Sequence, residues 1–375
     1  MRSFNFFLYD NYDTTDVKNP ADDPRAAFGK AADLVLTKVT ETRPGECSYE
    51  MLCRDGSTQA ADTLIHIGLL RRENNAVFLD SPVLVREDVP CLQNCFSDHL
   101  RRMEEALWQR RDDFYRLAGE LNNGFPPEHN LYHVLCGTIL DGSFFAYISD
   151  HELVSTSRLH ASGLDYLIIA YEQAPALDLF SQKLLCSYNR YSDGTRAFQS
   201  FGDANGDRVD FFRFARQKEA WKVPAALSDI ERLWDTLPKE NPKNRLLDEM
   251  QQFVETGCCE ETCFRLMSLF GYIHNGRLAV PVYRAAQIPV MDALERLTEE
   301  CLYMEVQSAL STPRLTSSLL CSRHGVSAKE IANELYHVLF GQLNERLVSS
   351  GFVAKPQEFS GEGRYLQSIQ LTGNS

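Results

Sequence analysis

Seven consecutive residues, Leu131-Tyr132-His133-Val134-Leu135-Cys136-Gly137, return 204 positions later as Leu335-Tyr336-His337-Val338-Leu339-Phe340-Gly341. Upstream, Gly68-Leu69-Leu70, Asn75, Pro82-Val83 and Val89-Pro90 run in the same order as Gly271-Tyr272-Ile273, Asn275, Pro281-Val282 and Ile288-Pro289. Downstream, Gly163-Leu164-Asp165-Tyr166-Leu167 is echoed by Gly363-Arg364-Tyr365-Leu366. Three collinear matches at nearly one offset point to two diverged copies of one unit, which constrains the fold more than any local pattern. Positions shared by the copies then speak first for architecture. A polar cluster in one copy only becomes a candidate for function.

The chain has 375 residues, enough for two or three domains with sizeable cores, and its 44% hydrophobic and 24% charged content is that of globular proteins. No run approaches the roughly 18 consecutive apolar residues of a membrane span. The first ten residues lack the apolar segment and small-residue cleavage site of a signal peptide. With eleven cysteines, an odd number, this favours reduced thiols and a cytoplasmic location. The formal net charge of −14 opposes unspecific attraction to nucleic acid or anionic membranes. The basic pairs Arg101-Arg102 and Arg110-Arg111 are interleaved with Glu104, Glu105, Asp112 and Asp113, the pattern of a solvated helix surface.

Residues 31–41 read as a helix and Ser57–Leu70 as a second, after which Asn74-Asn75 turns between β-prone runs and Pro82–Val85 forms a returning strand. Helices followed by a hairpin make up the winged-helix pattern. The segment 63–85 resembles the last helix and wing of a winged-helix domain, and so does 266–283, where Asn275-Gly276 is a strong two-residue turn. The C-terminal segment 327–371 resembles the same series, with Ser327 as helix cap, a second helix ending near Ser350-Gly351, a strand from Phe352-Val353 and a return over Tyr365–Leu371. The resemblance implies an α+β, mostly helical chain of tandem winged-helix-like modules. In each copy a long helix joins two modules, one from Pro90 to about Leu121 and one from Pro289 to about Leu310. The expected division is a first copy over 1–183, an antiparallel β-meander over 184–216, a linker over 217–244 with three prolines, and a second copy over 245–375. In the meander, Leu184–Tyr191, Thr195–Asp203 and Asp207–Ala215 are the strands, with one buried and one wet face. Tyr166–Tyr171 reads as an adjoining strand, and the polar segment up to residue 30 as a cap on the first domain.

Chemistry is sparse. Asp203 to Asp207, with Asp210, gathers oxygen ligands, but the position where a calcium loop needs a bidentate Glu is Phe214, so an acidic Asn-Gly turn is expected. Cys91 and Cys95, and Cys259 and Cys263 beside Cys258, are spaced i, i+4 without the tighter C-x2-C knuckle of structural zinc sites, which suits buried helix cysteines. His133 and His337 sit among aliphatic residues and read as structural. No phosphate loop, nucleophile elbow or zinc-protease motif occurs, so neither cofactor nor metal is expected.

The polar cluster confined to the first copy, Thr156 to Gly163, makes Arg158 and His160 the preferred binding candidates, and Arg158→Ala is expected to leave stability nearly unchanged. On the helices before the wings, Gln59, Asp62 and His66 carry no positive charge, and Glu260-Glu261 opens the second copy's equivalent. The C-terminal helix offers Gln342, Asn344 and Arg346. These features lead to a non-enzymatic interaction or regulatory protein whose partner is another protein. The alternatives are a DNA-binding transcriptional regulator using the C-terminal helix or the Arg71-Arg72 wing, and an enzyme near the meander whose pocket would collect Asp150, His151, Arg158 or His160. No membrane partner is expected.

Overall fold

The computed structural model describes residues 1–10, 17–177, 186–203, 209–219, 223–311, 318–354, 358–359 and 363–372. The fold is α+β, 57% helical and 16% strand, with small sheets. Two compact units divide the chain, and each is assembled from three separate segments. Unit 1 comprises 1–103, 146–184 and 302–343; unit 2 comprises 104–145, 185–301 and 344–375. The division expected from the sequence follows the order of the repeats, whereas the units draw on both.

Unit 1 begins with a strand that the polar reading of the N-terminus missed, β1 (Phe4–Asp10). It pairs antiparallel with β6 (Asp165–Glu172), with Phe4 opposite Glu172 and Asp10 opposite Tyr166. Helix α1 (Lys30–Glu41) buries Ala32, Val35, Leu36 and Val39, the i, i+3, i+4, i+7 stripe of an amphipathic helix. Full burial of each aliphatic side chain contributes about 1.5–3 kcal/mol. Ser48 caps α2 (Tyr49–Arg54) by accepting from the Met51 N–H at 3.2 Å, and α3 (Thr58–His66) follows. Gly68, at φ +73°, turns the chain into the hairpin of β2 (Leu70–Glu73) and β3 (Ala76–Leu79). A single bridge, Ser48 to Ala76, adds the segment before α2 to this hairpin. Then β4 (Val83–Leu84) joins β6 in parallel, and β5 (Arg158–Leu159) joins it antiparallel.

The sheet of unit 2 repeats these pairings. The strand β11 (Val282–Arg284) runs parallel to β13 (Gly363–Leu371), while β12 (Glu358–Phe359) and β8 (Arg196–Asp203) pair with β13 antiparallel. The further strand β7 (Cys186–Ser192) pairs with β8. Both faces of β8 are covered, contrary to the expected wet face. Phe198 packs on Phe211 and Tyr272, Phe201 on Tyr132, and Gln199 and Ser200 between them are equally buried. The third expected meander strand is instead a helix, Phe211–Glu219, whose first turn is capped by Asp210 accepting from the Arg213 N–H at 2.7 Å. The expected linker also holds a helix, Ser228–Trp234. Trp234, Phe211, Phe214 and Phe270 cluster in the core, so this stretch is anchored by apolar burial. Asn241 caps Pro242–Thr256, which ends at left-handed Gly257, and Glu261–Leu269 follows. The strands Ile273–His274 and Arg277–Leu278 close on Asn275 and Gly276, both at positive φ, as the two-residue turn requires.

The first expected long helix is three pieces, α4 (Val89–Asn94), α5 (Ser97–Gln109) and α6 (Arg111–Glu120), with Arg110 leaving helical geometry at φ −109°, ψ 15°. The segment Ile288–Leu310 is one helix, as expected. At the C-terminus, Ala328–Ser349 is a single helix rather than two, and Phe352 and Val353 are buried without forming a strand.

Helix α7 (Pro127–Asp150) holds the first repeated segment and departs from α geometry: Tyr132–Ser143 is a π-helix, with the Phe144 N–H bonded to Ile139 O five residues back. Its counterpart, Leu335–Gly341, is ordinary α-helix. Among the described residues α7 is the one helix long and apolar enough to cross a membrane, and most of it is buried in the fold.

Candidate functional site

The helix before the first hairpin, α3, is held on one side by Ala61 and Leu64 in the core and turns Gln59, Asp62 and His66 outward. Two of these are already bonded: Asp62 accepts from the Tyr49 hydroxyl at 2.5 Å, and His66 Nε2 lies 2.7 Å from Asp22 Oδ1. Beside them opens a shallow groove of about 360 Å³. Its small side chains, Ala26, Ala27, Ala31 and Ala60, leave Leu34 43% exposed at the rim. Neither the groove lining nor the exposed face of α3 carries an arginine or lysine.

The wing arginines do not supply the missing charge. Arg71 donates to the Leu79 carbonyl at 2.9 Å and the His324 carbonyl at 2.6 Å, and its guanidinium lies 4.8 Å from the Phe78 ring centre. Arg72 donates to Asn74 O at 2.7 Å and stacks over Tyr49 at 3.8 Å. Arg72 thus holds the hairpin to its own module, and Arg71 ties it to the turn at His324, a segment of the second repeat. Burial, then the charges of Arg71 and Arg323, push His324 down to about 4, so it is neutral at physiological pH.

Arg158 and His160, selected because the second copy lacks them, are also turned inward. Arg158 donates to Gly68 O at 2.7 Å and Asp80 O at 3.0 Å, and pairs with Asp80 at 3.3 Å and Glu330 at 3.4 Å. His160 stacks on Tyr166 at 3.8 Å with 11° between planes, its Nε2 lying 3.1 Å from Tyr166 O. Burial lowers its pKa, against the backbone bond that raises it. A Cβ on Gly68 would stand 2.6 Å from the His160 ring and 2.9 Å from Arg158, so only glycine allows this approach. The expectation that Arg158→Ala is neutral is therefore corrected. Removing it takes the Arg158 donor from the Asp80 carbonyl and the counter-ion from the buried Glu330 carboxylate, whose pKa burial already raises against the pull of Arg158, while the Gly68 carbonyl keeps the Ser81 hydroxyl at 2.9 Å. Arg158→Ala should cost about 1–3 kcal/mol in urea denaturation, and an unchanged midpoint would return Arg158 to the surface role.

The C-terminal candidates lie in or against the core. Asn344 is 3% exposed, Gln342 donates to Leu92 O at 3.0 Å, and Arg346 bonds Glu104 at 2.8 Å. Gln342 and Asn344 are taken up by packing on this helix, and Arg346, its side chain 40% exposed, is engaged by Glu104. In the second module the exposed positions of Glu261–Leu269 are Glu261, Arg265 and Leu269. The face is again mixed and not basic.

No family model, curated protein or solved structure matches this chain.

His151 packs tilted against Tyr147 and edge-on to Tyr303, its Nδ1 lying 2.8 Å from Tyr147 O, so it does not join Arg158 and His160 in a common pocket. The acidic turn lies largely outside the described residues, and Asp210 serves as a helix cap. Cys263 and Cys95 are thiols that burial pushes up to about 12, the opposite of an activated nucleophile or a ready metal ligand. His133 and His337 differ in surroundings. His337 Nδ1 lies 2.8 Å from Asn333 O, whereas neither ring nitrogen of fully buried His133 reaches a hydrogen-bond partner.

Proposed function

We propose that this chain is a non-enzymatic regulatory or interaction protein, built of two diverged copies of a winged-helix-like unit, that engages another protein through the α3 face. Three features support the architecture. Three helices precede a hairpin in unit 1 (α1, α2, α3) and again in unit 2 (Ser228–Trp234, Pro242–Thr256, Glu261–Leu269). The Ser48–Ala76 bridge stands where a winged helix has its third short strand. The strand after each hairpin joins a later strand in parallel, Val83 opposite Ala170 and Val282 opposite Ile369.

The observation that favours a protein partner is the charge of the α3 face. Nucleic-acid binding draws its affinity from Lys and Arg on phosphates, and here both wing arginines are already engaged, Arg71 by the Leu79 and His324 carbonyls and Arg72 by the Asn74 carbonyl, while Gln59, Asp62 and His66 face outward. Small side chains around Leu34 offer shape and apolar surface instead. A cytoplasmic location belongs to the same proposal, supported by the cysteines among the described residues forming no disulfide.

Fluorescence polarisation with random duplex DNA, titrated from low to physiological salt, tests the choice. The expected result is no binding even at low salt. Binding that falls steeply with salt would make the protein a DNA-binding regulator with a basic face formed elsewhere.

A further inference from the structure

We propose that unit 2 carries a binding site for a small zwitterion, a molecule with one carboxylate and one ammonium group such as a free amino acid. This goes beyond the protein-interaction reading and does not depend on it. The place is an open groove of about 310 Å³ bounded by the π-helical part of α7, the strands β7, β8 and β13, and the first turns of Ile288–Leu310, with Arg190 and Asp292 exposed along it. That volume suits a ligand at the small end of ordinary binding sites, which span roughly 300–1,000 Å³.

The lining separates charge. On the sheet side stands Arg190, a planar guanidinium suited to hold a carboxylate by two parallel bonds. On the helix side stand Asp292 and Glu295, three residues apart and therefore on one face. None of the three takes part in an ion pair among the described residues, although most arginines elsewhere in the fold do. Ile139, Ile288 and Met291 supply an apolar surface between them, and the Tyr188 ring a flat wall. A molecule with only one charge would leave the opposite side unanswered, which is the basis for selecting a zwitterion.

The site is built and not incidental. Arg190 Nη2 lies 3.4 Å from Gln370 Oε1, which accepts from Gln199 Nε2 at 3.0 Å, and Gln199 Oε1 accepts from Ser368 Oγ at 2.8 Å. Gln199 and Ser368 are 1% and 0% exposed, so a buried polar relay orients the guanidinium from behind. A second observation is independent of charge. Thr138, Ile139, Gly142 and Ser143 of the lining all come from the π-helix, which the first repeat has and the second lacks. Departures of this kind from α geometry concentrate at functional sites.

Isothermal titration calorimetry on the full-length protein would be run with the standard free amino acids, and with isobutyrate and isobutylamine as single-charge controls. The expected result is heat of binding from at least one amino acid, with either control roughly 10- to 100-fold weaker. Arg190→Gln, and separately Glu295→Gln on the helix side, should weaken the same ligand by a similar factor. Each variant is checked by circular-dichroism melting, and if Arg190→Gln fails to fold, Glu295→Gln alone carries the comparison. Absence of heat from every amino acid overturns the proposal. So does binding that both variants leave unchanged, and isobutylamine binding as tightly as the best amino acid would make this a cation site instead.

Discussion

Replacing His133 by leucine should flatten the acid limb of the stability curve between about pH 6.5 and pH 3. Burial, reinforced by His129, lowers the imidazole from its ordinary 6.5 to about 3. In that window the unfolded chain binds a proton that the folded chain refuses, so the stabilising contribution is complete above 6.5 and is lost as pH falls toward 3. At roughly 1.4 kcal/mol per pH unit the gap amounts to about 5 kcal/mol, comparable with the whole net stability of many domains. His324, lowered to about 4, acts in the same direction, so the flattening is large but incomplete. Glu172 acts lower on the scale: its carboxylate, held below the ordinary range by Arg86 and Arg2 despite burial, loses its contribution only as pH drops beneath that range. At neutral pH the leucine variant should be as stable as the parent or more so, since it removes two ring nitrogens that have no partner. Urea denaturation followed by circular dichroism from pH 7.5 to 3.5 makes the comparison. An unchanged acid limb in the variant would take acid sensitivity away from His133 and leave it to His324 and the carboxylates.

Gly137→Ala should destabilise the protein, although alanine is the better helix former by about 1 kcal/mol. A Cβ at 137 would lie 2.7 Å from Phe201 Cγ and 2.8 Å from Phe201 Cβ. These atoms sit near the backbone of a fully buried residue on β8, paired with Tyr188 on one side and Leu366 on the other. Neither can swing away, so overpacking of about 1–3 kcal/mol outweighs the propensity gain. Gly142 supplies the control. Its added Cβ would meet the Tyr188 ring at 3.7 Å, an ordinary contact, and Gly142→Ala should be neutral or stabilising. Thermal melts of the two variants should move in opposite directions or differ by several degrees. Equal effects would show that the closeness of α7 to β8 is not what requires glycine at 137.

Local signals in the sequence were readable where the chain makes its own partner. The stripe of α1, the Asn275-Gly276 turn and the hairpin after α3 all depend on residues close in sequence. Strand β1 was not readable, because Phe4 to Asp10 pair with Glu172 back to Tyr166, and nothing local marks an edge whose partner lies so far away. The helix at Phe211–Glu219 does carry a local mark, since Asp210 is a good N-cap residue, although the same stretch also reads as the third strand of a meander. The asymmetry that singled out Arg158 and His160 is real, but its physical content is a bracket on Gly68 and Asp80 and not an outward contact. The groove of unit 2 escaped the sequence reading for the opposite reason. Its charged residues, Arg190, Asp292 and Glu295, belong to no motif and come together only through the fold.

The interleaving of segments bears on how the molecule is made. A ribosome delivers unit 1 in three portions, and the last of them, 302–343, emerges after nearly all of unit 2 has been synthesised. Tyr171 waits for Glu334 and Tyr9 for His337, so during translation the sheet of β1 and β6 lacks the helix that covers these side chains. Unit 2 in turn lacks its central strand β13 until the final residues appear. Neither unit can be completed before most of the other has been made, unlike the domain-by-domain folding common in longer proteins. A cut between the two repeats would release two fragments, each holding pieces of both units and the whole of neither.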